Sequence, residues 1–345
     1  IAVEIACNKE DTHNLLYKLG LPVPVQKVVY NERTAVQAAL SIGYPVVIKP
    51  LNANHGRGVS INLTKNEQVI SAFIEAKKHR GGQLILVESF VKGFDHRMLV
   101  VNNELVAVAK RVPGHVVGDG KSSIAELIEI INSDPRRGIG HEKVLTNLEL
   151  DLQAKRLMKD GGLTKESILP KGEIFYIRST ANLSTGGTAI DLTEVVHPDN
   201  SEMAIRAIMA IGLDVGGVDF LTDDITCSYK DNEGAIIEVN AAPGFRMHVA
   251  PSEGTPRDVS GKVMDMLFPV DTSTRIPIAA ITGTNGKTTT SRMLSHIVKN
   301  SGYMVGMTST DGVYVDGKLS VKGDMTGPES AKIVLHDPTI DFAVM

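Results

Sequence analysis

The sequence predicts a chain of α/β and α+β character: α+β through residue 268, a linker at 269–277, and the opening of an α/β domain from 278 to 345. Three observations carry this. In the first part, short β-branched strands and capped helices lead to an antiparallel pair, "VGGVDFLTDD" and "GAIIEVNAAPG". The segment "PVDTSTRIP" is rich in Pro, Ser and Thr, as inter-domain connections are. Beyond it, "IAAITG", a helix from Lys287 to about Asn300 and "YMVGMTST" read as strand, helix, strand.

The elements follow in order. "IAVEIAC" reads as the end of a strand, and "NKEDTHNLLYKLGLPVP" as a helix with acidic residues in its first turn and Gly20 as its stop. "YPVVIKP" is a strand, "LNANHGRGVSINL" a glycine-containing turn into another, and Lys65 to about Lys78 a helix. "LILVESFV" is a strand, and "HRMLVVNNELVAVAKRV" is two strands joined at Asn102-Asn103. The polar loop "PGHVVGDGKSS" precedes a helix near Ser123–Asn132, and the charged stretch 133–170 holds one helix. "EIFYIRSTANLSTGGTAID" is a strand entering a Gly-Thr-rich loop, "DNSEMAIRAIMAIG" a capped helix, and Asp258–Phe268 a further helix.

Composition excludes some classes of function. A hydrophobic content of 42% with 22% charged residues describes a globular chain with ample core material. The net charge of −4 argues against a constitutive nucleic-acid binder. No apolar run reaches the ~18 residues of a membrane helix, and the first residues lack a signal-peptide pattern. Cys7 and Cys227 form neither a CxxC pair nor a zinc spacing, so reduced thiols and a cytoplasmic location are expected. Because both ends run through apparent strands, the sequence is expected to be a piece of a longer protein.

The most specific site signal is "GGVDF" followed by "IIEVNAAPG". Glu238 and Asn240 lie two apart on a strand and share a face, which Asp219 can join from the neighbouring strand. Such oxygen donors suit Mg²⁺, although acidic residues on a half-exposed hairpin also simply face water. Lys49 ends a strand before a loop containing Gly56 and Gly58, an arrangement for phosphate oxygens or for a solvated lysine. "VESFVKGFDHR" places Glu88 and Asp95 where an inter-lobe connection offers acceptors to an adenine amine and ribose hydroxyls. "IRSTANLSTGG" supplies Arg178 and Asn182, with the arginine suited to steady a phosphoryl group beside the metal carboxylates. "DPRRG" is either a solvated surface or an attractor of an acidic polymer, and Arg246 and His248 either touch substrate or are structural.

In "GTNGKTTT", the backbone of Gly283, Thr284, Asn285 and Gly286 with Lys287 can meet phosphate, and Thr288 can hold Mg²⁺. The loop departs from the usual pattern, since Ile281 stands where a first glycine is expected.

Taken in order, Lys9, Lys49 with its glycine loop, "VESFVKGFDHR", "RSTANLSTGG", "VDF" and "IIEVNAAPG" resemble the ATP-grasp family. That resemblance implies two α+β lobes clasping ATP, and a carboxylate activated as an acyl phosphate for attack by an amine. It implies Lys9 and Lys49 as phosphate ligands, Glu88 and Asp95 in the base and ribose region, and Asp219, Glu238 and Asn240 as magnesium ligands. "TGTNGKTTT", "YMVGMTSTDGVYVDGKL" and "GDMTGPESA" resemble the Mur ligases, a second acyl-phosphate family. The two in this order, with "DPRRGIGHEK" and "NAAPGFRMHVAPSEGTPR", resemble the cyanophycin synthetase family. What that implies is addition of aspartate to a cyanophycin primer by the first part and of arginine by the second, in a homo-oligomer with no nucleic-acid or membrane partner. Rival readings are another ATP-grasp ligase, a polymerase of aspartyl-arginine dipeptides, and a nucleotide-binding module without catalysis.

Overall fold

The chain enters the structure as a helix where the sequence reads as strand. In this computed structural model, which describes residues 1–51, 58–78, 84–140, 142–178, 180–272 and 275–345, Ala2–Cys7 is helical (α1). Short apolar runs fit either period, and burial of Ala6 against the core decides for helix. Lys9–Lys18 (α2) follows, with the Asn8 side chain accepting from the Glu10 and Asp11 amides.

Two clusters of contacts divide the chain, Ile1–Met266 and Leu267–Met345. In the first unit, strands Gln26–Val29 (β1), Val46–Pro50 (β2), Ser60–Leu63 (β3) and Ile85–Ser89 (β4) form an antiparallel sheet in the order β1-β4-β2-β3. Helices Glu32–Ile42 (α3) and Asn66–Lys77 (α4) cover one face. Their small residues, Ala35, Ala38, Ala39, Ala72 and Ala76, pack with Phe73 onto Val29, Val46, Ile48, Ile85 and Val87. Gly56 lies outside the described residues.

Phe94–Val101 (β5) and Glu104–Val112 (β6) form the hairpin expected at Asn102-Asn103, both with positive φ as a two-residue primed turn requires. An inserted lobe then intervenes. It consists of His115–Val117 (β7), Ile124–Asn132 (α5), the pair Arg137–Gly138 (β8) and Leu145–Thr146 (β9), Leu152–Asp160 (α6) and Ile174–Tyr176 (β10), which pairs with β7. Its core is Val116, Ile124, Leu127, Ile128, Leu148, Ala154, Met158, Leu169 and Ile177. So the loop expected at "PGHVVGDGKSS" contains a strand.

The chain returns through Thr188–Asp191 (β11), Pro198–Ile211 (α7), Val215–Thr222 (β12) and Ala235–Asn240 (β13), giving an antiparallel five-stranded sheet in the order β11-β6-β5-β12-β13. Alternation assigns the two faces. Met98, Val100, Val108, Val218, Phe220, Ile236 and Val239 pack under α7, α1 and α2. Opposite them stand Asp95, Arg97, Arg111, Asp219, Glu238 and Asn240, and on β13 the bulge facing Asp219–Phe220 puts Ile236 and Glu238 on opposite faces. Gly216 lets α7 approach, since a Cβ there would lie 2.4 Å from Ile208 Cδ1. Short helices Arg246–Val249 (α8) and Val259–Leu267 (α9) complete this unit.

In the second unit, Ile278–Ala279 (β14), Lys287–Asn300 (α10), Val305–Ser309 (β15), Gly312–Val315 (β16), Lys318–Lys322 (β17), Pro328–His336 (α11) and Phe342–Val344 (β18) build a sheet in the order β14-β18-β15-β16-β17. The first three strands are parallel and the last two antiparallel. Val298, Val305, Met307 and Val344 form one core patch, whereas Met293 is exposed rather than packed.

Phe220 fills the centre of the core beneath α7 with no exposed surface. Phe220→Ala should destabilise the first unit by ~3–5 kcal/mol, read as a lower urea midpoint. A loss below ~1 kcal/mol would contradict this placement.

Candidate functional site

The polar face of the five-stranded sheet is built by register. Arg97 stands opposite Asp219, Asp219 opposite Glu238, and Asp95 opposite Arg111. Arg97 donates to Asp219 through Nε and, at 3.2 Å, through Nη2. Arg111 Nη2 donates to Asp219 Oδ2 at 2.8 Å and to Asp95 Oδ1 at 2.6 Å. All four residues are largely or wholly removed from water. Burial alone would raise the Asp219 carboxyl, but the charges of Arg111 and Arg97 hold it below the usual range. Burial does raise Asp95, which Arg111 only partly offsets. Asp95 therefore stands with the Asp219 cluster rather than as a free acceptor for a sugar.

A second charged group lines the cleft between the two sheets as one ion pair on each side, Lys49 with Glu88 from the four-stranded sheet and Lys9 of α2 with Glu238 of β13. Lys9 Nζ lies 3.3 Å from Glu238 Oε1, and Lys49 Nζ lies 2.6 Å from Glu88 Oε1. All four line one narrow cleft, with Leu16, Val23, Pro24, Ile236 and Ile237 as its apolar walls. So α2, β2, β4 and β13 bring Lys9, Lys49, Glu88 and Glu238 together from distant parts of the sequence. Glu88 meets Lys49 here and is not a free acceptor.

Arg178 and Asn182 are placed differently from the expectation. The arginines touching Asp219 are Arg97 and Arg111, whereas Arg178 Nη1 donates to Asp151 at 2.9 Å and Nη2 to the Glu149 carbonyl at 3.1 Å. The reason is local: Asp151 N-caps α6 and offers its carboxylate where β10 ends. The Asn182 side chain accepts from the Ser184 amide and caps the short 3₁₀ turn Leu183–Thr185. Ser179 lies outside the described residues. His248 is 1% exposed, and neither ring nitrogen has a partner among the described residues.

The donor set suits a hard cation. Asp219 and Glu238 supply carboxylate oxygens, and Asn240 an amide two residues along the same face. Each carboxylate oxygen has two lone pairs, so Asp219 can serve its arginines and a metal together. Among the described residues the buried Asn240 Nδ2 has no partner, a position that a phosphate oxygen would satisfy. The trio fits Mg²⁺ completed by phosphate and water, and no group of three or more His, Cys, Asp or Glu forms a metal cluster by itself among the described residues.

In the second unit the loop 280–286 joins β14 to α10. Gly286, at φ 78°, caps the helix, and Gly283 has φ 153°. Lys287 Nζ folds back onto the carbonyls of Gly283 at 2.6 Å and Thr284 at 3.4 Å. Thr284 and Asn285 are exposed, and Thr288 is half-buried in the first helical turn. The Ile281 amide donates to the Met345 carbonyl at 2.6 Å, which ties the loop to the end of β18.

Sequence reasoning missed Arg97 and Arg111. The signal for Arg97 was its spacing of two from Asp95 on one strand. For Arg111 there was none, because a bulge between Leu99 and Val100 shifts the register.

Comparison with known proteins agrees with this architecture. The RimK-like ATP-grasp domain matches residues 6–122, and the Mur ligase middle domain matches residues 281–345. The crystal structure of a bifunctional glutathione synthetase from Pasteurella multocida superimposes with a TM-score of 0.60 at 33% identity, over 78% of this chain and 37% of that one. The chain thus has an ATP-grasp fold followed by Mur ligase middle-domain sequence. Over its whole length it is a relative of the cyanophycin synthetases: that of Trichormus variabilis is 52% identical over 347 residues, covering 100% of this chain. The chain spans 38% of that relative's length. A glutathione biosynthesis bifunctional protein of Enterococcus faecalis is 34% identical over 272 residues, 76% of this chain and 35% of the relative. Among the described residues no helix is long and apolar enough to cross a membrane.

Burial pushes both His96 and His248 down to about 4, with Lys110 adding to the effect at His96 and Arg97 at His248. The unfolded chain takes up these protons near the ordinary value of 6.5, so it binds more protons than the folded state between the two values. Stability therefore falls as pH drops from about 6.5 towards 4, by up to ~3 kcal/mol for each histidine. Urea midpoints at pH 7 and 4.5 should show this loss, and His248→Gln should remove part of it. Equal losses in both proteins would exclude His248 as a contributor.

Proposed function

We propose that the first unit binds ATP and joins an activated carboxylate to an amino acid through an amide bond, adding aspartate to a cyanophycin primer. The observation that carries this reading is the pocket in which Lys9, Lys49, Glu88 and Glu238 meet between two sheets, with the Asp219 cluster on the adjoining polar face. The similarity to cyanophycin synthetases across the whole chain supports the choice of substrates. In the proposed cycle a carboxylate oxygen of the primer attacks the γ-phosphorus of ATP, and ADP leaves. The aspartate nitrogen then attacks the acyl carbon of the acyl phosphate, loses a proton, and phosphate departs.

The residues divide this work. Lys9 and Lys49 exchange their carboxylate partners for phosphate oxygens, which accounts for two cations lining one pocket. Arg97 and Arg111 hold fixed positive charge beside Asp219, where developing phosphoryl charge is best stabilised. Asp219, Glu238 and Asn240 would hold Mg²⁺, which supplies charge neutralisation at the phosphate oxygens when bound. The apolar walls and Glu88 shape the end of the pocket that takes the base. No covalent enzyme intermediate is needed, so positioning and electrostatics supply the catalysis. In the second unit, the 283–288 loop would bind the ATP used to couple arginine to the new aspartate side chain. The whole protein is proposed to act as a cytoplasmic homo-oligomer.

The test is ATP-dependent incorporation of labelled aspartate, and separately of labelled arginine, onto a short cyanophycin primer with Mg²⁺. Aspartate should be incorporated, and Glu238→Ala should slow it by roughly a hundredfold or more. Lys287→Ala should spare the aspartate step and suppress arginine coupling. Incorporation of a different amino acid would move the assignment to another ATP-grasp ligase. Neither reaction in the full-length protein would end the cyanophycin reading.

A further inference from the structure

The sequence "DPRRG" presents two adjacent arginines, and the structure gives them opposite environments. Arg136 is exposed and held by both oxygens of Asp134, through bonds of 2.7–3.1 Å. Arg137 is only 8% exposed, and no carboxylate pairs with it among the described residues. Its Nη1 instead donates to two carbonyl oxygens, Thr146 at 2.5 Å and Gly186 at 3.3 Å. Burial of the guanidinium costs free energy, which the two carbonyls and the nearby charge of Asp134 offset in part.

What it grips is the segment 182–187, which follows Arg178. This segment is threaded between two backbones. A Cβ on Gly186 would lie 2.4 Å from Leu148 Cδ2 and 3.2 Å from the Asn147 carbonyl, and Gly186 has a φ of 93°. A Cβ on Gly187 would lie 2.8 Å from the Asn182 carbonyl and 2.9 Å from the Val112 carbonyl. On one side, therefore, the segment rests against the 147–148 backbone that extends β9, and on the other against β6, which carries Arg111. Leu148 also packs close to the Arg178 stem, because a Cβ on Gly114 would meet Leu148 Cδ2 at 2.8 Å and Arg178 Cγ at 3.3 Å. Arg137 thus ties the inserted lobe to the one segment that connects Arg178 with the five-stranded sheet.

We propose that Arg137 is a positioning residue for the ligase reaction, holding the 182–187 segment against the end of β6 so that Arg111 keeps its place beside Asp219. The proposal rests on the ligase reading above for its kinetic consequence. Its structural consequence stands independently. Because the single nitrogen Nη1 donates to both carbonyls, a lysine ammonium is a partial substitute and neutral glutamine a poor one.

The experiment compares wild type, Arg137→Gln and Arg137→Lys by amide hydrogen exchange and by steady-state aspartate incorporation. In Arg137→Gln, exchange in 182–187 should accelerate at least tenfold while α7 stays protected. The kcat should fall at least tenfold, with the KM for ATP within threefold of wild type, and lysine should restore part of both. Unchanged exchange in 182–187, equal acceleration in α7, or an unchanged kcat with a loosened segment would each overturn the proposal. Should Arg137→Gln fail to fold, Arg137→Lys carries the same comparison with smaller changes. If wild type itself incorporates nothing, the ligase reading has failed, and exchange in 182–187 alone decides whether Arg137 holds the segment.

Discussion

The buried contact of Asp219 with Arg97 and Arg111 is the constraint on which the first unit is arranged. Three charges share a face of a sheet whose other face is apolar, and none could be there alone. Isolated, each would cost several kcal/mol in desolvation. Together they are nearly balanced, and Asp95 completes the set through Arg111. Such a cluster is a weak source of stability but a strong source of placement. It fixes β6, β5 and β12 in one register, because any slip of one residue would drive a charge into the core formed with α7.

Around that cluster the remaining parts supply access and closure. The four-stranded sheet contributes Lys49 and Glu88 to the pocket, and α2 contributes Lys9. On each side of the cleft a lysine is paired with a carboxylate of its own side, Lys49 with Glu88 and Lys9 with Glu238. The 182–187 segment is seated between the inserted lobe and β6, where only glycine fits at 186 and 187. The second unit repeats the theme with different means, its lysine bonded to the carbonyls of its own loop. In both units a lysine is bonded to protein oxygen, in the first to carboxylates and in the second to backbone carbonyls.

How much of this was legible depended on whether the signal was local. The capped α2, the turn at Asn102-Asn103 and the loop before α10 were readable, since each depends on a few adjacent residues with distinctive φ or capping needs. The pairing of Asp219 with Glu238 followed from strand alternation and an antiparallel partner. α1 was misread because six residues of mixed pattern satisfy either period. Arg111 was missed for a sharper reason. An unbroken two-residue hairpin would set Asp95 opposite Lys110, and only the bulge at Leu99–Val100 brings Arg111 there instead. Lys110 is thereby sent to the opposite face, where its Nζ lies 3.2 Å from the centre of the Phe94 ring.

By itself, then, the sequence determined the residue types of the site, the order of its motifs and the two-part organisation, because these follow from local chemistry and spacing. The tertiary structure decided which charges meet. That Asp219 is clasped by Arg97 and Arg111, that Arg178 reaches Asp151, and that Glu88 is held by Lys49 depend on register, on a single bulge and on the seating of the inserted lobe. Those are differences of an ångström or a residue between distant segments. Hydrophobic patterning does not encode them, because packing, once the core is closed, selects among alternatives that local propensity ranks alike.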